Sequence, residues 1–278
     1  YNLIKVEKVR RTMVRVAIAG AAGRMGRSLV KAVNQSDVAL QVTAATVLAD
    51  DPCLGVDVGS MAMGVASGVV TVSDLTSASD FDVLIDFTAP AATLKHIEFC
   101  QQHSKAMVIG TTGLPATGIE AISAAGESIP MVFAPNMSIG VNLCFSLLKQ
   151  AAEILGNQMD IEIYEAHHRF KKDAPSGTAL KMGEIIADVL GRDLKEIAIY
   201  EREGISEGRD REAIGFTVVR AGDIVGDHTV TFAGLGERVE ITHRASSRMT
   251  FANGAVQAAQ WIVGKENGVY SMGQVLGL

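Results

Sequence analysis

The chain has 278 residues, 48% of them apolar, with 25 Lys and Arg against 31 Asp and Glu, a formal charge of −6 and a pI near 5.6. That length fits one large domain or two ordinary ones with a substantial core. The acidic balance excludes a general nucleic-acid binder, and no apolar run reaches the ~20 residues that span a bilayer. Three cysteines, Cys53, Cys100 and Cys144, stand at irregular spacing and read as buried free thiols of a reducing compartment.

Residues 1–12 are charged and without a firm period, and Met13 directly precedes an evident strand. They read as a non-native or disordered leader and stand outside the fold. Residues 13–19 form a strand of the continuous apolar kind found in buried parallel sheets. It runs into Gly20-Ala-Ala-Gly-Arg-Met-Gly26 and then a helix to about Asn34. Strand, glycine loop and helix are the setting of a dinucleotide-binding turn, in which the backbone approaches a pyrophosphate and the helix N-terminus stabilises its charge. The spacing is Gly-x-x-Gly-x-x-Gly, so a plain turn between strand and helix is the competing reading.

A second strand is predicted over 38–47, loops with short pieces over 50–80, and a buried strand over 81–87 that Thr88-Ala-Pro90 breaks. Helix over 91–103, strand over 106–110, helix over 116–125 and strand over 130–134 follow. Alternating strand and helix implies a parallel sheet covered on both faces. In such sheets ligands bind beyond the carboxyl ends of the strands, where the glycine loop, Phe87 and Thr88, Gly110 to Gly113 and Ala134 to Met137 all lie. A long apolar helix over 138–155 begins a second region. There, strands over 213–220, 229–233 and 238–243 follow in series, which predicts an open mixed or antiparallel sheet, and 250–263 returns to helix, expected to pack back on the first domain.

The chemistry concentrates in Glu165-Ala-His-His-Arg-Phe-Lys-Lys-Asp-Ala-Pro-Ser-Gly-Thr-Ala179. Residues 160–165 alternate polar and apolar, as a half-buried strand does. Ser176 is a good N-cap, and Leu180, Met182, Ile185, Ile186 and Val189 recur at helical spacing. His167 and His168 therefore stand where a strand ends, Lys171 and Lys172 in a loop, and the amides of Gly177 and Thr178 open a helix, a ready anion site. Cations, amides and a titratable imidazole in one place suit a small polyanionic substrate that also needs a proton. Adjacent histidines also occur simply as polar loop residues. No metal is expected: neighbouring strand residues point to opposite faces, and no Cys-x-x-Cys or His-Glu-x-x-His spacing completes a ligand set.

Five segments, Gly20-Ala-Ala-Gly-Arg-Met-Gly26, Asp86-Phe-Thr88, Gly110-Thr-Thr-Gly113, the 165–179 stretch and Thr242-His-Arg-Ala-Ser-Ser-Arg248, together resemble the dihydrodipicolinate reductases. These are also called 4-hydroxy-tetrahydrodipicolinate reductases and belong to bacterial and plant lysine biosynthesis by way of diaminopimelate. The likeness runs from about Val14 to the C-terminus. It implies an α/β protein: a Rossmann-type doubly wound parallel sheet over 13–137 and 248–278, plus an α+β substrate and tetramerisation domain with an open mixed sheet over 138–247. It implies a cytoplasmic homotetramer that uses NADH or NADPH to reduce a cyclic unsaturated imine dicarboxylate to tetrahydrodipicolinate. Its motif positions carry the proton-transferring histidine to His167 and the catalytic lysine to Lys171. Substrate contacts fall on His168, Gly177, Thr178 and Arg248. Cofactor contacts fall on Gly20, Ala21, Ala22, Gly23, Arg24 and Met25, on Phe87 and Thr88, on Gly110, Thr111 and Thr112, and on Ala134, Pro135, Asn136 and Met137. The chemistry read from the residues agrees. Hydride addition to a conjugated C=C–C=N system leaves electron density that an imidazole is suited to protonate. Two carboxylates call for cations and amide donors. The partner is thus a small dicarboxylate, with no nucleic acid and no membrane.

The chain departs from the family at the end of the second strand, where an acidic residue often meets the adenosine ribose. Here residues 44–48 read Ala-Ala-Thr-Val-Leu, with Val47 at the expected position and Asp50 and Asp51 just beyond. No Arg or Lys occurs from Ala32 through Leu94, which leaves Arg24 and Arg27 to reach a 2′-phosphate. Both cofactors are therefore expected to serve, within about tenfold of each other. Two rival functions fit the pattern less well. A semialdehyde-type dehydrogenase needs a nucleophilic cysteine, and Cys144 lies in an apolar helical run. A non-catalytic NAD-binding regulator needs an output module, and no basic recognition helix is visible.

Overall fold

The protein is described here by a computed structural model covering residues 13–205 and 208–278; the leader over 1–12 lies outside the described residues. In chain order the elements begin with β1 (Val14–Ala19), α1 (Arg24–Gln35), β2 (Leu40–Ala45), α2 (Val58–Met63), β3 (Val83–Asp86), α3 (Pro90–Gln102), β4 (Ala106–Ile109), α4 (Ala116–Ala125) and β5 (Pro130–Phe133). Then come α5 (Ile139–Leu155), β6 (Asp160–His167), α6 (Gly177–Leu190), α7 (Leu194–Ile197), β7 (Ala198–Ile199), β8 (Ile214–Arg220), β9 (Gly226–Ala233) and β10 (Arg238–Ala245). The chain closes with α8 (Met249–Ile262), β11 (Gly268–Tyr270) and α9 (Met272–Leu276). Two compact units result: described residues up to Phe133 with Ala255–Tyr270, and Ala134–Gly254 with Ser271–Leu278.

The first unit is a six-stranded parallel sheet in the order β11-β5-β4-β3-β1-β2. Every residue of β3 and β4 is buried, which is why these strands read as unbroken apolar runs. On one face Ala17, Leu84, Met107, Ile109 and Met131 pack against Ile97 and Cys100 of α3 and Ile122 and Ala125 of α4. Burial pushes the Cys100 thiol up to about 12. Cys53, expected to be buried, is only half-buried; it lies in a turn before α2, outside the apolar cluster beneath α3 and α4.

The second unit is built on β6, parallel to β8 and antiparallel to β9, in the order β10-β9-β6-β8-β7. The sheet is mixed and open, as expected. On one face Ile161, Ile163, Ile214, Phe216, Val230 and Phe232 pack beneath Leu148 and Ala152 of α5 and Met182 and Ile186 of α6. Ser138 caps α5 by accepting the Val141 amide at 3.3 Å. Residues after 248 do not all join the first unit: α9 packs against α5, with Met272 and Val275 buried.

Candidate active site

In the first unit the chain leaves β1 for β2 on one side and returns to β3 on the other. The loops after β1 and β3 therefore splay apart and leave a crevice at the carboxyl ends of the strands. A cavity of about 810 Å³ opens there, within the range of small-molecule sites. Gly20, Ala22 and Gly23 line it from the first loop, Thr46, Val47, Leu48 and Asp51 from the second, and Phe87 and Thr88 from the third. Lys95, His96 and Phe99 of α3 close one wall.

The loop depends on missing side chains. Gly20 has φ +65°, and a Cβ there would stand 2.9 Å from Thr88 Cγ2. A Cβ on Gly26 would stand 2.2 Å from the Gly20 carbonyl oxygen, so only glycine lets α1 pack this close. Gly23 is the N-cap of α1 and provides no side-chain cap, so the helix opens onto the cavity with backbone alone. These features fit a dinucleotide whose pyrophosphate lies at the α1 N-terminus.

Two of the lining residues, Thr88 and His96, are tied to one buried carboxylate. Asp86, fully buried, accepts from the Thr88 amide at 2.8 Å, the Thr88 hydroxyl at 2.6 Å and His96 Nδ1 at 2.8 Å. Thr111 adds a longer bond at 3.3 Å, and the Thr93 hydroxyl donates to Thr111 at 2.8 Å. Burial raises the Asp86 carboxyl, but the His96 and Thr88 hydrogen bonds overcome it and hold the group below the usual carboxylate range. One carboxylate thus ties together the loops after β3 and β4. Gly110 lies under the Phe87 ring, where a Cβ would come within 2.3 Å. Ala21 is buried and donates its amide to Thr46 at 2.8 Å. Arg24 and Thr112 are exposed and Met25 is half-buried; none of the three lines the cavity.

In the second unit the face that is apolar along Ile161 and Ile163 turns polar at Glu165 and His167, two residues apart and therefore on the same side. Register places His228 of β9 opposite Glu165, His243 of β10 opposite His228, and Arg220 of β8 opposite His167. Glu165 is fully buried. It accepts His167 Nδ1 at 2.6 Å, Arg220 through two bonds of 2.8 Å, and the Ser176 amide at 2.9 Å. Burial raises its carboxyl, but the bonds from His167, Arg220 and Ser176 dominate and bring it down to about 2. A carboxylate only accepts, so His167 carries its proton on Nδ1 and keeps Nε2 for other work. Nε2 lies beside Gly226, where a Cβ would stand 3.1 Å away.

Ser176 joins this cluster to α6. Its hydroxyl accepts the Ala179 amide at 3.2 Å and shares a hydrogen bond with His228 Nε2 at 3.0 Å. Burial, and then the charge of His167, push His228 down to about 3, so it stands neutral against the His167 ring, with centroids 5.1 Å apart. With the Ser176 and Ala179 amides used, those of Gly177 and Thr178 remain at the helix start, and a Cβ on Gly177 would meet nothing within 4 Å. Lys171 donates to both oxygens of Asp173 at 2.9 Å, and Asn136 Nδ2 donates to the Thr178 hydroxyl at 3.1 Å. His168 follows β6 and is half-buried. Ala134 and Met137 are buried and Pro135 exposed. Arg248 offers its carbonyl to the Phe251 and Ala252 amides at the start of α8.

Sequence reasoning missed Glu165, Arg220, Ser176 as a bridge, and His228. Glu165 was legible as an inward position of an alternating strand; His228 lies just before the strand predicted over 229–233, which in fact begins at Gly226, and Arg220 lies 55 residues from its partner and carried no local signal. Arg27, expected to be free for a phosphate, is spent on structure: Nε donates to the Ala22 carbonyl at 2.9 Å and Nη1 to that of Met61 at 2.7 Å. Cys144 is buried, and burial raises its thiol, consistent with packing. Among the described residues no group of three or more His, Cys, Asp or Glu is placed to hold a metal, and no helix is long and apolar enough to cross a membrane.

Comparison with known proteins bears on both units. The family model of the dihydrodipicolinate reductase N-terminus matches residues 14–137, and that of the C-terminus matches 140–276. A dipicolinate-bound dihydrodipicolinate reductase from Paenisporosarcina sp. TG-14 is similar at 25% identity and a TM-score of 0.73, over 93% of this chain and 97% of that one. An amine dehydrogenase from Mycobacterium smegmatis shares the fold at 11% identity and a TM-score of 0.58, over 94% of this chain and 96% of that one. A myo-inositol dehydrogenase from Corynebacterium glutamicum ATCC 13032 does so at 14% identity and 0.56, over 92% and 90%. With both units matched over nearly the whole described chain, the chain belongs to the dihydrodipicolinate reductase family, the NAD(P)H-dependent oxidoreductases of lysine biosynthesis.

Proposed function

We propose that the protein reduces 4-hydroxy-tetrahydrodipicolinate, or the dihydrodipicolinate formed from it, with His167 as the proton donor. The observation that carries this reading is the 2.6 Å bond from His167 Nδ1 to buried Glu165, which fixes the ring and its tautomer and leaves Nε2 beside Gly226. Reduced nicotinamide, when bound, supplies the hydride. His167, protonated at both ring nitrogens, then delivers its Nε2 proton to the electron density left on the conjugated imine and returns to the neutral ring, while Glu165 holds the Nδ1–H. Neutral His228 backs the imidazole without adding a competing charge. The Gly177 and Thr178 amides at the α6 start take one substrate carboxylate. Lys171 exchanges exposed Asp173 for the substrate, and His168 and Arg248 make further contacts.

The cofactor contacts we assign are Gly20 through Met25, Phe87, Thr88, Gly110 through Thr112 and Ala134 through Met137. Gly20, Ala22, Gly23, Phe87 and Thr88 have the best support, because they line the crevice. The first unit is the dinucleotide domain; the second takes the substrate and forms the tetramer. Support for a homotetramer comes from the face of the second sheet opposite α5 and α6. There Tyr164 is 40% exposed and Thr217 and Thr242 are exposed. Three unpaired cysteines fit a cytoplasmic setting. The test is oxidation of NADH and NADPH with and without freshly prepared 4-hydroxy-tetrahydrodipicolinate; cofactor oxidation that ignores this compound would overturn the reading.

A further inference from the structure

The cavity of the first unit must balance the charge of whatever nucleotide it takes, and four ionisable groups line it: Asp51, Asp74, Lys95 and His96. Both carboxylates are already engaged. Asp51 Oδ1 accepts the Cys53 amide at 2.8 Å, and Asp74 Oδ1 accepts the Thr76 amide at 2.6 Å. His96 has its Nδ1 on Asp86 at 2.8 Å, so any charge it carries is offset at once by that buried carboxylate. Lys95 differs from the other three. It is exposed on α3, faces the cavity, and among the described residues holds no salt bridge or hydrogen bond.

The other cations are disposed of by position. No Arg or Lys occurs from Ala32 through Leu94, which covers the loop after β2 where a 2′-phosphate reader ordinarily stands. Arg27 is held by the Ala22 and Met61 carbonyls, and Arg24 is exposed but does not line the cavity. A phosphate on the adenosine ribose would meet Val47 and Leu48 of the loop after β2 and the carboxylate of Asp51. Neither binds it, and Asp51 repels it.

We infer that Lys95 is the specificity-determining residue of this cavity: the cation on α3 that takes the 2′-phosphate of NADPH in place of the missing basic residue after β2. Lysine suits the task as a compact charge on a flexible four-carbon stem that reaches across a cavity. The same arrangement explains tolerance of NADH, since a free 2′-hydroxyl leaves the ammonium in water at no cost.

The inference rests on the first-unit cavity being the dinucleotide site, and adenosine 2′,5′-bisphosphate and 5′-AMP separate the two claims without turnover. Calorimetric titration of the full chain with each probe, for wild type, Lys95→Gln and Arg24→Ala, is the experiment. Lys95→Gln should weaken the bisphosphate by about tenfold while changing 5′-AMP by less than about twofold, with Arg24→Ala changing both equally. Equal loss of both probes in Lys95→Gln would place the ammonium on the shared adenosine or 5′-phosphate and overturn the assignment. Selective loss of the bisphosphate in Arg24→Ala, with Lys95→Gln unchanged, would transfer the role to Arg24. If wild type binds neither probe yet still binds NADH, the cavity itself is not the adenosine site, and both claims fall.

Discussion

The two units solve the problem of holding an anion in opposite ways. The first removes side chains. Gly20 and Gly26 let backbone approach backbone, and α1 opens without a cap so that amides and space do the binding. The second adds side chains and satisfies them. Glu165 is buried only because His167, Arg220 and Ser176 all donate to it. A backbone cradle is indifferent to protonation and serves a cofactor that keeps its charge. A network of imidazoles and a carboxylate is sensitive to protonation and suits the proton-moving step we propose for it. Gly177 is where the second unit borrows the first unit's device.

The sharpest way to break this contrast is His167→Ala. Loss of a general acid should lower kcat by about 10²-fold or more, while NADH affinity stays within about threefold of wild type. Steady-state kinetics with a separate fluorescence titration of NADH checks both numbers, and an active variant would move proton delivery elsewhere. Lys171→Ala follows. Losing one charge-assisted bond to the substrate costs about 2 kcal/mol, roughly thirtyfold in kcat/KM. If NADH affinity fell as far as activity, Lys171 would be structural.

Gly177→Ala tests the borrowed cradle. The added methyl meets no protein atom within 4 Å, so the melting temperature should hold. A methyl forced into substrate space costs about 1–3 kcal/mol, near tenfold in KM. An unchanged KM would mean that the substrate does not approach Gly177.

The smallest effect is on stability against pH. His228 is held at about 3 in the folded protein, below its unfolded value, so the unfolded chain takes up the proton first on acidification. Stability is therefore lost as pH falls from about 6.5 toward 3, at up to about 1.4 kcal/mol per pH unit. Glu165, held at about 2, adds a second loss only below about 4.5. Between pH 6.5 and 4.5 denaturant titrations should show the histidine slope, and His228→Gln should flatten most of it; His243, also lowered by burial, accounts for the remainder. A slope unchanged in His228→Gln would mean that His228 is not the buried neutral group described here.

Local pattern reached far into this protein. Continuous apolar runs announced β1, β3 and β4, because strands covered on both faces need no polar side. Ser176 and Leu180 through Val189 announced α6, because caps and helical spacing are short-range physics. The Gly20 loop and the 165–179 stretch carried the family resemblance and most of the candidate site. Short elements escaped: β7, β11 and α9 are too brief for a period to show, and their partners lie far along the chain.

By itself the sequence determined the alternation of strands and helices, the glycines that a phosphate loop needs, and the imidazole at a strand end, all set by contacts within a few residues. Only the tertiary structure decided which groups surround that imidazole. Strand register brings Arg220 and His228 to Glu165 from positions 55 and 63 residues away along the chain. Burial then turns ordinary side chains into a fixed carboxylate and a neutral histidine. It also decided that Arg27 is committed to backbone carbonyls while Lys95 faces the cavity. Pairing and burial are properties of assembled surfaces, and no window of sequence contains them.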